Sequence, residues 1–403
     1  MKAVRARPAA GDERLTAREG LLRACGRFRL GPPEGERLAR AASEASEADW
    51  SAVLAEAIRR GGGGLLFHHL CAAGAEPPAA LRDEYRRIAA SNVAWGAELR
   101  RLGGALREAG VPVLLIKGAA LQEDVYQNSG VRLMEDVDWV LRGEAQERAA
   151  TGGLEDLGYR PWGEAYRELW VSGSFLLDLH RHPLGDERIE ARTSGLAGEG
   201  APEEAIWRRA RRSPLGEPYL VPAAEDHLLI LCAHLMKHSF EPGIWFADLE
   251  ALLAYEPAFD WAAALARARA WGLIRPLAYA FRNLGALEGE GAQAPALPER
   301  VREALREVRP TRLDRALLAL AARSAPLAGE KPEWERPPVA NLLWLSSQEG
   351  LGAKARLLWE AAFPRDEVMA QIFPGYRPSL RWWYVLRRAG ALLRLGIRLA
   401  RRL

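Results

Sequence analysis

Apolar residues in the first hundred positions recur at helical intervals. Between Ser43 and Arg60, Trp50, Val53, Leu54, Ala57 and Ile58 follow one another at three- and four-residue steps, and Gly61 to Gly64 break the run. Pro77 and Pro78 open a further helical stretch through Tyr85 and Ile88, and Asn92 to Ala109 continues as a long amphipathic one ended by Gly110 and Pro112. The texture then changes. Val113 to Ile116 is a short apolar β-type run, Ala119 to Tyr126 makes one or two helical turns, and Asp136 to Leu141 begins with the polar–apolar alternation of a strand. Glu144 to Leu157 is a helix weakened by Gly152 and Gly153. Tyr166–Val171 and Phe175–His180 read as two strands joined by a hairpin turn at Ser172-Gly173-Ser174. A loop of small residues, Gly195 to Gly200, leads back to helical texture: Pro202–Arg212, Ala224–His238, Trp245–Tyr255 and Trp261–Trp271.

The pattern predicts an α+β protein: an α/β core with a mixed sheet, flanked by N- and C-terminal helical domains. The expected divisions are a tail over 1–14, a helical domain over 15–107, the α/β core over 108–190 and a second helical domain over 191–325. A proline-marked linker and basic amphipathic helices fill 326–403. A chain of 403 residues accommodates two or three units at roughly 100–200 residues each. The formal net charge is only +3, which excludes a global polyanion-binding surface. Cys25, Cys71 and Cys232 are far apart in apolar helical patterns and read as buried, reduced thiols. Met1 to Arg14 is polar and arginine-rich, unlike a secretory leader, and no apolar run approaches the ~20 residues of a bilayer span, so a cytoplasmic placement is expected.

Candidate chemistry concentrates in the α/β core. Asp136 and Asp138 are two apart on a strand, so their carboxylates share one face about 6.6 Å apart along the chain, while Val137, Trp139 and Leu141 point to the other. Paired acids in an apolar strand are costly unless a cation compensates them. On that ground Asp138→Asn is expected to leave apo stability unchanged or higher. Asp178 interrupts a second apolar strand and shares its face with His180. Three carboxylates on neighbouring strands suit two-metal phosphoryl transfer, with Mg²⁺ as the default ion. Gly118 closes the first strand before a helical turn, where backbone N–H groups can seat phosphate. Lys117 and Arg132 flank the acidic strand and are candidates to meet triphosphate charge; the other reading makes Lys117 a solvated strand end and Arg132 a structural partner of an aspartate.

The segment Ile116-Lys117-Gly118-Ala119-Ala120-Leu121, then Tyr126, Arg132, Met134, Asp136-Val137-Asp138 and Asp178-Leu179-His180, resembles the bacterial uncharacterised nucleotidyltransferases of the polymerase-beta-like superfamily. Trp50, the Gly61–Phe67 region, Asn92, the Ala224–His238 helix and Asp248 also look like family positions, extending the resemblance over roughly 43–390. The resemblance implies a minimal nucleotidyltransferase core. It also implies a transfer of an NMP group from an NTP such as ATP, with Asp136, Asp138 and Asp178 as catalytic and metal-holding residues. Lys117, Gly118, Ala119, Arg132, His180 and His238 are the nucleotide-binding candidates. Ala119 stands where the wider superfamily has Ser or Gly, which removes a hydroxyl contact to phosphate. The acceptor is expected to be a small molecule or peptide, with an RNA end the other class; the rival reading is a catalytically quiet nucleotide-binding or scaffold protein.

Three further signals lie outside this core. His227, His234 and His238 share a helical face that is expected to turn toward the aspartates, with Asp248 orienting His238. Arg208 to Arg212 reads as a solvated helix face. Leu380–Leu403 reads as a helix whose apolar set, Trp383, Leu386, Leu393 and Ile397, docks on the protein, with weak membrane-surface contact at most.

Overall fold

The computed structural model describes residues 17–163, 166–184, 201–287, 297–324, 342–348, 350–373 and 375–400. The expected 1–14 tail, the Gly195–Gly200 loop, the proline-marked linker and the last residues of the Leu380–Leu403 helix lie outside the described residues. An N-terminal bundle comprises α1 (Ala17–Ala24), α2 (Pro32–Glu44), α3 (Glu47–Arg59), α4 (Gly63–Ala72) and α5 (Ala79–Glu108). There follow β1 (Val113–Ile116), α6 (Lys117–Asp124), β2 (Val137–Val140), α7 (Gly143–Asp156), β3 (Arg160–Pro161), β4 (Leu169–Ser172) and β5 (Phe175–His180). Beyond them lie α8 (Pro202–Arg209), β6 (Arg211–Arg212), β7 (Tyr219–Val221), α9 (Ala224–Lys237), α10 (Ile244–Tyr255), α11 (Trp261–Ala270) and α12 (Ile274–Asn283). The described chain ends with α13 (Glu299–Glu307), α14 (Arg312–Ser324), α15 (Gly350–Ala362), α16 (Asp366–Ile372) and α17 (Arg381–Ala400).

The fold is α+β, a mixed seven-stranded sheet of order β3-β4-β5-β2-β1-β7-β6 flanked by helices. β1 runs antiparallel to β2, and β2 runs parallel to β5. β4 and β5 form the expected hairpin, with Ser172 paired to Phe175 and Gly173 at φ 58° in its turn. Alternation divides the sheet's faces as the period of two requires. Val113, Leu115, Val137, Trp139, Leu177 and Leu179 pack with Leu99 and Leu102 of α5 and Leu154 of α7. Leu114, Ile116 and Val140 pack on the other face with the apolar side of α9, α10 and α12. The acids of β2 and β5 share this second face.

Three differences from the sequence pattern have clear causes. The sheet takes two strands from 211–221, past the expected 108–190 core, because β7 pairs in parallel with β1 and β6 closes against β7. Pro202–Arg212 is therefore a helix only to Arg209, and its arginines do not form one solvated row: Arg209 engages Asp226, Arg211 Asp124 and Arg212 Glu217. The two amphipathic stretches before Gly110 fuse into one 30-residue helix, α5. Cys25 and Cys232 are buried as expected, but Cys71 is exposed, because Leu66 and Leu70 take the bundle-facing side of α4. Among the described residues no helix is long and apolar enough to cross a membrane.

The bundle and the sheet meet through the loop before β2. Asn92, inside α5, donates through Nδ2 to the carbonyls of Ser129 and Arg132, both at 2.6 Å, and accepts at Oδ1 from the Met134 N–H at 3.1 Å. It thereby fixes the chain that leads into Asp136. α4 approaches the same loop backbone to backbone: a Cβ at Gly64 would stand 2.1 Å from the Gly130 carbonyl oxygen. Helix propensity alone favours alanine over glycine by about 1 kcal/mol. Gly64→Ala is instead expected to destabilise the protein by roughly 2–4 kcal/mol, because the clash is with backbone. Urea unfolding checks the sign, and a stabilised variant would contradict this packing.

Candidate active site

Register brings the acids together. Asp138 of β2 is paired directly with Asp178 of the parallel strand β5, and Val140 with His180. Adjacent paired residues project to the same side, so two carboxylates stand side by side on the sheet face that α9 and α10 cover. Like charges so placed repel, and the chain supplies the compensation itself. His180 Nε2 lies 2.8 Å from Asp138 Oδ1 and 3.2 Å from Asp178 Oδ2, bridging the pair. Lys117, at the junction of β1 and α6, places its ammonium on the same Asp138 oxygen. Its backbone is left-handed at φ 52°, a conformation that costs a non-glycine residue of order 1 kcal/mol and tends to occur where function requires it.

The electrostatics follow from these contacts. Burial opposes ionisation of Asp138, but Lys117 and His180 outweigh it and hold the carboxyl well below its ordinary range. Burial likewise opposes the charge on His180, and Asp178, with the hydrogen bonds to both aspartates, overrides it and raises the imidazole to about 9. Asp136, immediately before β2, has no side-chain hydrogen bond of this kind among the described residues. Burial and the Asp138 charge push it up to about 6, against the opposing pull of Lys117. Donor atoms of Asp138, Asp178 and His180 all lie within 4.8 Å of one another, a set able to hold a metal ion. His180, expected to contact nucleotide, is thus a member of the acidic cluster, and Asp136 stands beside this trio and feels its charges.

The remaining candidates surround this cluster. Gly118 and Ala119 are buried at the start of α6. A Cβ at Gly118 would stand 2.2 Å from an Arg132 nitrogen, so this glycine is required by the guanidinium beneath it. Arg132, only 7% exposed, donates from Nε and Nη2 to the two carboxylate oxygens of Asp248 at 3.2 and 3.0 Å, and from Nη1 to the Leu133 carbonyl. Tyr126 donates its hydroxyl to Asp248 Oδ1 at 2.9 Å. Asp248 therefore serves Arg132 and Tyr126, in place of the expected partnership with His238. The sequence allows Arg132 to be the structural partner of an aspartate but does not say which, because the two are 116 residues apart.

On α9, the charges of Lys117 and Asp138 act on His234, whose pKa burial lowers strongly. Its Nδ1 is buried with no hydrogen-bond partner among the described residues. His238 packs its ring 4.5 Å from His234 and 4.4 Å from Trp245. His227 is buried and held neutral at about 3, chiefly by desolvation.

A mixed sheet that sets adjacent carboxylates on one face, under helices, is suited to nucleotidyl transfer. The model of the family described as Uncharacterised nucleotidyltransferase matches residues 46–288, more than half of the chain, and the chain belongs to that family. The match includes every strand among the described residues and all the site residues above, but it ends well before residue 390, the limit of the resemblance read from the sequence. No curated protein and no solved structure matches the chain.

The charge pattern reverses the expectation for Asp138→Asn. Asp138 anchors two cations, so its contribution is present above its ordinary 3.8 and lost only as pH falls. Asp138→Asn should destabilise the metal-free protein at pH 8 by roughly 3 kcal/mol. Asp136 has the opposite sign: its folded value, about 6, lies above 3.8, so its favourable contribution is present below 3.8 and lost as pH rises through 6. Asp136→Asn should therefore stabilise by roughly 1–2 kcal/mol at pH 8 and give no gain near pH 4. Thermal melts of both variants at the two pH values check the pair of signs.

Proposed function

We propose that this chain is a metal-dependent nucleotidyltransferase of the polymerase-beta-like kind, moving an NMP group from an NTP to the hydroxyl of a small molecule or peptide. The observation that carries the reading is the register pairing of Asp138 with Asp178, with Asp136 beside them bearing a raised pKa. A carboxylate with a raised pKa next to a pair neutralised by side chains is a donor set that suits a hard divalent cation. When bound, one or two Mg²⁺ ions would neutralise triphosphate charge and polarise the α-phosphorus.

The chain's own residues then have separable tasks. Asp136, Asp138 and Asp178 hold the cations, and Lys117 and His180 keep the carboxylates apart and oriented before substrate arrives. With Asp138 holding a cation, the Lys117 ammonium would be free to meet the triphosphate, where a point charge is useful. Gly118 and Ala119 seat phosphate with backbone N–H groups at the start of α6. Arg132 acts from below as a positioning residue, holding that turn against Asp248. His238, stacked on Trp245, borders the nucleotide. Asp178 accepts the proton of the acceptor hydroxyl as its oxygen bonds to the α-phosphorus, while the bond to the β-phosphate oxygen breaks and pyrophosphate leaves.

A small-molecule or peptide acceptor is favoured over RNA because the Arg208–Arg212 run, the obvious basic patch near the core, is largely committed to acids of the same chain. Incubation with Mg²⁺ and each NTP, labelled at the α- or the γ-phosphate, in the presence of cell extract tests the reading. The α-label should appear in an acceptor and the γ-label in pyrophosphate, with Asp178→Asn lowering transfer by about a hundredfold or more. Transfer of the γ-label, or full activity in Asp178→Asn, would contradict it. Saturable NTP binding without transfer would favour a quiet nucleotide-binding protein.

A further inference from the structure

The helix α17 is held to the body by one side and open on the other. Tyr384 and Val385 enter a small core with Val368, Met369, Ile372 and Phe373. Arg388 donates to the Ala361 carbonyl at 2.7 Å, and Arg381 reaches the Pro364 carbonyl and the Asp366 carboxylate. These contacts decide which face docks, and it is not the expected one. Trp383, Leu386, Leu393 and Ile397 are 50%, 71%, 67% and 47% exposed, and Trp382 is 72% exposed.

Steps of four, seven and four place Trp382, Leu386, Leu393 and Ile397 on one stripe, with Trp383 at its border. Arg387 and Arg394, both exposed and seven apart, run along the same edge, the Arg387 guanidinium lying 4.7 Å from the Trp383 ring. From Arg377 to Ala400 the sequence holds arginines and no aspartate or glutamate. We propose that this face is a binding surface for an anionic lipid bilayer, in which α17 lies along the headgroup plane.

The side-chain chemistry selects that occupant. Leucine and isoleucine gain by leaving water for acyl chains, tryptophan suits the interface, and arginine can lay its stem on apolar surface while its head meets lipid phosphate. A second copy of the chain docking through the same stripe would bring two arginine edges together with no acid on either to offset them. RNA would meet the arginines but leave the leucine and isoleucine stripe without a partner. The helix is broken by charge and lies on the surface without spanning.

Flotation of the full chain with vesicles tests the proposal, using phosphatidylcholine alone and phosphatidylcholine with about a third phosphatidylglycerol. The protein should float with the anionic vesicles, weakly with the neutral ones, and less at high salt. Leu386→Asp with Leu393→Asp should reduce bound protein by roughly tenfold or more without changing the melting temperature, since both side chains are exposed. Arg387→Gln with Arg394→Gln should cost a similar roughly tenfold and remove the preference for anionic lipid. Either pair leaving flotation unchanged would overturn the proposal, as would a wild-type chain that stays at the bottom of the gradient. Failure to float together with a dimer dissolved by the aspartate pair would assign the face to a second copy. Failure to float together with arginine-dependent RNA binding would assign it to nucleic acid.

Discussion

Asp138 and Asp178 face the same way on adjacent parallel strands, and the charge they concentrate governs the surrounding structure. Two carboxylates partly removed from water cannot stay ionised side by side without compensation. Lys117 provides it from the end of β1, accepting a left-handed backbone to do so, and His180 provides it from β5 by bridging both acids. The result is a site whose paired carboxylates are compensated by two side-chain cations of the same chain. Asp136 is left over. Burial first, and the Asp138 charge second, hold its pKa above the ordinary carboxylate range.

The scaffold exists to hold that arrangement steady. Asn92 stitches the loop before β2 to α5, Gly64 lets α4 approach the same loop, and Arg132 ties it to α10 through Asp248. Gly118 is small because Arg132 lies where a side chain would be. The Gly118 turn and a buried ion pair are therefore one packing unit: altering either moves the other. The helices on both sides of the sheet thus share in the site's geometry, since α4, α5 and α10 all hold the loop that leads into Asp136.

Much of this was legible in the sequence, and its limits are physical. β1, β2 and the β4–β5 hairpin were readable because alternation of period two and a glycine turn leave a local mark, and the Asp136, Asp138 and Asp178 constellation followed from it. β7 was not, because three residues between helical stretches carry too little pattern and its strand identity comes from pairing with β1. The Arg132–Asp248–Tyr126 network was not, because distant partners leave no local signature. The helix α17 shows the same limit differently. Its amphipathic period was plain, but periodicity does not say which apolar residues meet the body, and Tyr384 and Val385 do so while the larger stripe faces outward.

The central claim is that the carboxylates of β2 and β5 form a divalent-cation site that the chain's own cations occupy in its absence. Mn²⁺ titration followed by electron paramagnetic resonance, with and without NTP, measures this most directly. The account predicts saturable Mn²⁺ binding that strengthens with NTP, is reduced by roughly tenfold or more in Asp178→Asn, and is tighter without NTP in Lys117→Gln, where the competing ammonium is gone. Mn²⁺ binding that is unchanged in Asp178→Asn, or absent from the wild-type chain with NTP present, would contradict it.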